Sequence, residues 1–225
     1  MNLGVYNAVR GCKIQQLKLD TIANNLANAA TTGFKKSILH FDQMLQAHQK
    51  TTATQGSMRR TGNSLDVGLS GRGFFKISTA NGVRYTRNGR FNLDSRGMLT
   101  TSGGDPVLGS GGPISVEGKE ITFDEKGGIE ADGTQVDTLS VVDFQDSVVL
   151  KKEGAYYYVG DGDEAMEFQP QQTSVKQGYL EESNVVVAEE MVRMVEALRD
   201  FESYQKVLQT FSEIDSKAIN QVGSP

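Results

Sequence analysis

Two long runs of apolar residues at helical spacing, one at each end of the chain, constrain the fold more than anything between them. From Val5 the first run falls on a heptad: Val5, Cys12, Leu19 and Leu26 recur every seven residues, and Ala8, Ile22 and Ala29 follow three places on. Gln15 breaks the second series. Leu3, Ile14 and Leu17 lie off the stripe, so more than one face is apolar and the helix expects several neighbours. The pattern predicts a helix about 40 Å long, ending near Thr31-Thr32-Gly33, where Gly33 can supply a left-handed C-terminal residue. At the other end Ser183-Asn184 reads as a helix cap, and neither Pro nor Gly occurs from Val185 to Val222. There Val187, Met191, Met194, Leu198, Phe201, Leu208 and Phe211 keep three-four spacing, interrupted by Gln205, while Val192, Val195, Tyr204, Val207, Ile214 and Ala218 widen the stripe. A helix of that length spans about 57 Å, too long for a compact domain of this size. Neither stripe can be buried in a lone chain, so both ends are expected to order on assembly while the middle folds by itself.

The two ends are also opposite in charge. Residues 1–60 carry eight Lys/Arg (Arg10, Lys13, Lys18, Lys35, Lys36, Lys50, Arg59, Arg60) against Asp20 and Asp42, whereas residues 181–225 carry nine acids against four bases. Complementary helical ends point to packing against each other or against neighbouring copies, hence to assembly rather than catalysis. The net charge of -5 argues against a nucleic-acid binder. No apolar run approaches the roughly 18 to 20 residues of a membrane span, so direct membrane insertion is not expected. The N-terminus lacks the hydrophobic stretch and cleavage site of a secretory signal. A single cysteine, Cys12, allows no intrachain disulfide and reads as a small apolar helix residue.

Between the ends the period changes. Phe34–Leu45 is mixed, with Phe41, Met44 and Leu45 as anchors, and Gln46–Ser57 reads as an extended or adaptable linker. From Leu65 to about Tyr179 apolar residues alternate, and twenty of the 25 glycines fall between Gly56 and Gly162. That is the signature of an antiparallel β domain. Strands are predicted at Leu65–Leu69, Phe74–Ser78, Val83–Thr86, Phe91–Leu93, Met98–Thr101, Pro106–Leu108, Ile114–Val116, Ile121–Phe123, Ile129–Ala131, Leu139–Phe144 and Ala155–Val159, with turns at pairs such as Asn81-Gly82, Asn88-Gly89 and Asp132-Gly133. The expected organisation is α+β: a terminal helical part (residues 1–36 and 183–225) forming a coiled-coil-like bundle, a linker segment (37–60), and a mainly antiparallel β domain (61–182).

No catalytic constellation stands out. His40 and His48 flank a polar stretch and read as surface histidines rather than metal ligands. Gly71-Arg72-Gly73 lacks the third glycine and the helix of a dinucleotide loop, so its glycines read as a tight turn into a strand. Asp161-Gly162-Asp163-Glu164 resembles part of a calcium loop but lacks its later ligands, and reads as an acidic hairpin tip. Asp143 and Asp146 would be the acid pair of a β-domain hydrolase, yet nothing places them in a cleft. No cofactor and no metal is expected. By contrast, Ala23-Asn24-Asn25-Leu26-Ala27-Asn28-Ala29-Ala30-Thr31-Thr32-Gly33-Phe34-Lys35-Lys36 resists a bland reading. Its Asn and Thr are poor helix formers whose short polar side chains suit close helix approach and hydrogen bonds to neighbouring backbone.

That last segment resembles the N-terminal signature of the axial proteins of the bacterial flagellum, the rod and hook family. Gly178-Tyr179-Leu180-Glu181-Glu182-Ser183-Asn184-Val185, running into Glu189-Glu190-Met191-Val192, is similar to the family's C-terminal signature. Asn63-Ser64-Leu65-Asp66-Val67, Gly71-Arg72-Gly73-Phe74-Phe75, Tyr85-Thr86-Arg87-Asn88-Gly89 and Phe91 resemble the entry to its β domain. A hook protein would carry a further outer domain for which this chain has no room. The short stretch at 46–60 and Pro106–Ile114 look most like a proximal rod type, with a distal rod type as the alternative. The resemblance implies a structural subunit, not an enzyme, that polymerises helically to transmit torque. It also implies partners: copies of itself and other rod proteins, the flagellar type III export apparatus, which reads no cleavable signal peptide, and surrounding basal-body rings. The location implied is the basal-body rod, crossing the periplasm or cell wall. Subunit contacts are expected at Leu19, Ile22, Asn24, Asn25, Leu26, Asn28, Thr32, Gly33, Asn184, Met191, Met194, Leu198, Phe201, Leu208 and Phe211. The competing classes are a β-domain enzyme and a self-contained binding module on a dimeric coiled-coil stalk.

Overall fold

A computed structural model describes residues 3–41, 47–118, 120–145, 150–154, 156–160 and 167–222. The architecture is α+β, with one helix at each end and antiparallel strand pairs between them. The chain divides into two compact units: Met1–Ala27, Ser37–Gln49 and Val186–Pro225 form one, and Asn28–Lys36 with Lys50–Val185 form the other.

The first unit is built on α1, Leu3–Ala27, and α2, Val187–Val222. A Cβ at Gly4 would lie 2.6 Å from the Phe211 ring, and one at Gly11 would lie 2.3 Å from Tyr204, so the bare glycine backbones receive two aromatic rings. Further along, Asn25 bonds Glu190 at 3.0 Å. Position rises on one helix as it falls on the other, so the helices run antiparallel. The buried rows repeat every seven residues: Ala8, Gln15 and Ile22 on α1 beside Gly4, Gly11 and Asn25, and Glu190 and Ala197 on α2 with Tyr204 and Phe211 half-buried after them. Three expectations shift. Part of each stripe is buried within the lone chain, with Ala8 and Ile22 of α1 buried and Met194, Phe201, Leu208 and Phe211 of α2 half-buried. The inner seam of α1 follows the series of Ala8 and Ile22, and the row Val5, Cys12, Leu19 and Leu26 is only half-buried. The helix also stops at Ala27, four residues before Thr31, because Asn28 to Thr32 curl into turns in which the Thr31 N–H bonds the Asn28 carbonyl at 3.1 Å. Gly33 does adopt the left-handed conformation, at φ +70, beyond the helix.

A strand Ser37–Phe41 pairs with Ala47–Thr51, so part of the stretch read as linker is ordered. Gln49 reaches from it to the Thr21 hydroxyl at 3.0 Å.

The second unit holds a six-stranded sheet ordered Leu150–Glu153, Tyr157–Gly160, Gly82–Thr86, Phe74–Thr79, Val141–Phe144, Glu167–Phe168. A three-stranded sheet runs Ile121–Phe123, Gly128–Ala131, Thr134–Thr138, closed by a tight turn at Asp132-Gly133 with φ 49 and 78. Val67–Ser70 pairs with Ser174–Gln177, and Met58–Arg60 with Tyr179–Glu181, so the two ends of the β region leave side by side. Period-two alternation sends Phe75 and Ile77 into a core with Val67, Leu69, Phe91, Leu99, Val107, Ile114 and Ile129. Phe74 joins Tyr85, Val142, Phe144 and Tyr158 in a second, aromatic cluster. Ile114–Val116, predicted as a strand, contributes only an isolated bridge at Ser115. The predicted start of Ala155–Val159 and the acids Asp146 and Asp161–Glu164 lie outside the described residues, as do Met44, Leu45 and the side chain of His48.

Candidate functional site

Three sequence signatures converge in the second unit on one buried ionic knot. Lys35, from the N-terminal signature, and Arg87, from the β-domain entry, are each 2 % exposed, and Glu181, from the C-terminal signature, is 1 % exposed. Lys35 Nζ donates to Glu181 Oε1 at 2.6 Å and to the Thr54 carbonyl at 2.8 Å. The Gly56 N–H adds a bond to Glu181 Oε1 at 2.9 Å. Arg87 Nε and Glu181 Oε2 lie 2.9 Å apart, an ion pair whose angle leaves neither atom a hydrogen bond. The rest of the guanidinium is well satisfied: its two terminal nitrogens donate to the carbonyls of Gly73 at 2.9 Å and Gly71 at 2.6 Å. This gives Gly71-Arg72-Gly73 a role. Its glycines sit at φ +116 and +121 and turn two carbonyls onto Arg87.

Backbone bonds tighten the junction. The Gly33 N–H donates to the Glu181 carbonyl at 2.7 Å, and the Lys35 N–H to the Tyr158 hydroxyl at 3.1 Å. A Cβ at Gly33 would sit 2.5 Å from backbone atoms of Arg87 and Asn88, so only glycine fits there. Asn184 does not cap α2, as its position had suggested. Its Oδ1 accepts the Lys36 N–H at 2.6 Å, and its Nδ2 donates to Thr52 Oγ1 at 3.0 Å and the Thr54 carbonyl at 2.9 Å. The helix instead opens from Val186, whose carbonyl accepts the Glu190 N–H at 3.1 Å. Lys152 Nζ lies 3.7 Å over the Phe34 ring and donates to the Lys35 carbonyl.

Burial dominates the electrostatics. It lowers Lys35 to about 8; repulsion from Arg87 adds to this and Glu181 opposes it. Burial likewise lowers Lys152 to about 8 and pushes Tyr158 well above the usual phenol range. Arg87 is pushed down by burial and held up chiefly by Glu181. A buried cluster of two cations and one carboxylate specifies a single arrangement more than it adds stability.

The residues expected at subunit contacts fall into distinct environments. Asn25 is 1 % exposed: Nδ2 donates to the Ser37 carbonyl at 2.9 Å and to Glu190 Oε2 at 3.0 Å, and Oδ1 accepts the Ser37 N–H at 2.9 Å. Asn25 therefore works inside the chain, as do Ile22 and Gly33, which are also buried. The short polar side chain of Asn25 bonds the backbone of this chain's own strand at Ser37. Leu19, Leu26, Asn28, Thr32, Asn184, Met194, Phe201, Leu208 and Phe211 are half-buried, while Asn24, Met191 and Leu198 are exposed. Asp143 is buried and paired with Arg72 at 3.0 Å, so it is not an open acid. His40 is exposed on its strand. Lys35, Arg87 and Glu181 were not expected at the site. Each sits inside a signature motif, yet each in isolation reads as a surface charge.

Comparison with known proteins agrees with this arrangement of motifs. The family described as "Flagella basal body rod protein" matches residues 5–35, "Flagellar hook protein FlgE/F/G D1 domain" matches 68–138, and "Flagellar basal body rod FlgEFG protein C-terminal" matches 176–221. The chain is 32% identical to the flagellar basal-body rod protein FlgF of Caulobacter vibrioides, over 92% of each chain. It is 32% identical to FlgG of Bacillus subtilis, covering 96% of this chain and 97% of the relative, and 31% identical to FlgF of Rhizobium meliloti, covering 99% of each. The chain belongs to the flagellar basal-body rod protein family, a family of structural rod subunits rather than enzymes.

Proposed function

We propose that this chain polymerises helically within the flagellar basal-body rod, its terminal helices forming a coiled-coil-like inner wall through which torque passes from motor to hook. The observation that carries this reading is the apolar surface that α2 leaves in water. Met191 is 57% and Val192 59% exposed, and Val187, Val195, Leu198, Val207 and Ile214 are exposed on the same helix. A helix of about 54 Å with so much wet apolar surface implies further copies, and contacts between unlike surfaces that do not close into a ring give a helical polymer. The half-buried row Val5, Cys12, Leu19 and Leu26 supplies a second such surface. Of the expected contact residues, Leu19, Asn24, Leu26, Asn28, Thr32, Asn184, Met191, Met194, Leu198, Phe201, Leu208 and Phe211 keep that role. Residues 1–36 and 183–225 act as the axial part and 61–182 as the outer part, joined through 37–60.

The short stretch at 46–60 favours the proximal rod type. Partners are further copies and other rod proteins, with the type III export apparatus before assembly and the basal-body rings after it. A chain with one cysteine suits passage as an unfolded thread. The test is V195E/L198E: both sites are exposed, so the purified chain keeps its circular dichroism, while cells swim poorly and basal bodies in electron micrographs lack a complete rod. Normal swimming by this variant refutes the reading.

A further inference from the structure

The β unit contains a cavity of about 600 Å³ whose lining shares only Thr32 with the proposed subunit contacts, and the inference drawn from it does not depend on those contacts. Its size lies within the range of small-ligand sites, but its chemistry differs from the usual apolar pocket. The walls come from the Thr31-Thr32 turn, Arg59, the Thr86–Arg90 turn, the Thr101–Asp105 turn and the Tyr156-Tyr157 pair. Nearly all of these present hydroxyl, amide or guanidinium groups. An apolar ligand would strip water from those not already bonded within the protein and return nothing in exchange.

Part of the wall is fixed in advance. The Tyr157 hydroxyl donates to Asp105 Oδ2 at 2.6 Å and lies 3.0 Å from Thr101 Oγ1. Thr101 Oγ1 also accepts the N–H groups of Gly103 and Asp105, each at 3.3 Å. Burial, reinforced by Asp105, raises Tyr157 to about 12, so the phenol stays protonated and Asp105 stays engaged. Arg59 is likewise held, with Nε 3.1 Å from Glu182. Arg90 differs: it is exposed, and its guanidinium forms no ion pair among the described residues. Tyr156, which lines the same cavity, is 49% exposed, an amphipathic side chain with an apolar ring and a polar tip.

We propose that this cavity binds a carboxylate-bearing oligosaccharide. Arg90 grips the carboxylate in the two-pronged geometry that a guanidinium offers. Tyr156 covers a sugar face, and Thr32, Asn88 and Ser102 face the sugar hydroxyl and acetamido groups. A saccharide suits the lining because it carries a polar partner on almost every atom. A compact inorganic anion does not, since only one cation without an ion pair, and no helix N-terminus, converge there among the described residues.

The experiment titrates the full chain with a hyaluronan tetrasaccharide, which alternates glucuronic acid and acetamido sugars, by calorimetry and by NMR shifts of the cavity backbone. Neutral chitotetraose and inorganic phosphate are separate arms. Saturable binding with Kd on the order of 10 μM to 1 mM is expected, with chitotetraose about tenfold weaker for lack of a carboxylate partner. R90A should weaken the acidic ligand about tenfold and Y156A several-fold, both at exposed positions that leave the fold unchanged by circular dichroism. Absence of saturable binding, equal affinity for phosphate, or affinity unchanged in both variants overturns the proposal.

Discussion

Removing the charge of Glu181 tests the buried knot most directly. Glu181→Gln keeps the shape and leaves Lys35 and Arg87, each 2 % exposed, facing each other without a carboxylate. Breaking a buried pair by deleting one partner costs about 3 to 5 kcal/mol. The upper part of that range is closed off by chemistry. Lys35 is already lowered to about 8, so at pH 7 neutralising it costs only about 1 kcal/mol, and less once Glu181 no longer holds its proton. A loss of about 3 kcal/mol at pH 7 is therefore expected, a midpoint shift of about 1 M in urea. The loss should shrink by about 1 kcal/mol at pH 9, where Lys35 is uncharged before the mutation. The assay is urea unfolding of the full chain by far-ultraviolet circular dichroism and by fluorescence of its seven tyrosines, free of tryptophan. Lys35→Met supplies the cycle. With the amine gone, Glu181→Gln should cost at least about 1.5 kcal/mol less than in the parent. Losses that add within about 0.5 kcal/mol and do not change between pH 7 and 9 would refute the coupling.

Three further outcomes follow from geometry. Gly11→Ala gains about 1 kcal/mol of helix propensity, yet its Cβ meets the Tyr204 ring at 2.3 Å. A net loss of about 1 kcal/mol is expected, removed in the Tyr204→Ala background, as helix content and melting temperature will show. Asn25→Ala strands the Ser37 N–H and carbonyl and should cost about 2 to 4 kcal/mol in the unassembled chain, whereas exposed Asn24→Ala should change its thermal unfolding little. Finally, Lys35 and Lys152 are lowered from 10.5 to about 8. Below pH 8 both forms of the chain hold these protons and the burial penalty is fully present. Above it the unfolded chain binds protons that the folded chain has released, so stability rises with pH from about 8 to 10. Urea midpoints across that window check the sign, and Lys35→Met should flatten part of the rise.

The sequence made the helices legible and part of their seam, since Ala8 and Ile22 fell on its repeat. Hydrophobic periodicity finds Leu19, Leu26, Met191 and Leu198 because they are apolar. The seam also runs through Gly4, Gly11, Gln15, Asn25 and Glu190, which carry no hydrophobic signal: the glycines act by being small, and Asn25 and Glu190 by bonding each other. Central strands such as Phe91–Leu93 and Ile121–Phe123 matched their alternation within a residue. Met58–Arg60 and Tyr179–Glu181 stayed hidden because their charged side chains contradict a strand reading until partners 125 residues away, such as Ser57 and Glu182, are brought together. The knot was invisible for a related reason. Lys35 and Glu181 are 146 residues apart, and burial of a charge cannot be read from one member of a pair.

The seven-residue repeat that sets Gly4 on Phe211, Gly11 on Tyr204 and Asn25 on Glu190 also legislates length. Inserting or deleting one, two or three residues in either helix turns the segment beyond it by roughly 100° per residue, rotating the glycines away from the rings and Asn25 away from its carboxylate. Only a gain or loss of seven, matched on both helices, restores the seam. Loops of the β region carry no such constraint. Inherited variation in length should therefore collect between the helices and spare them, so that a gap falling inside α1 or α2 marks a protein with a different seam.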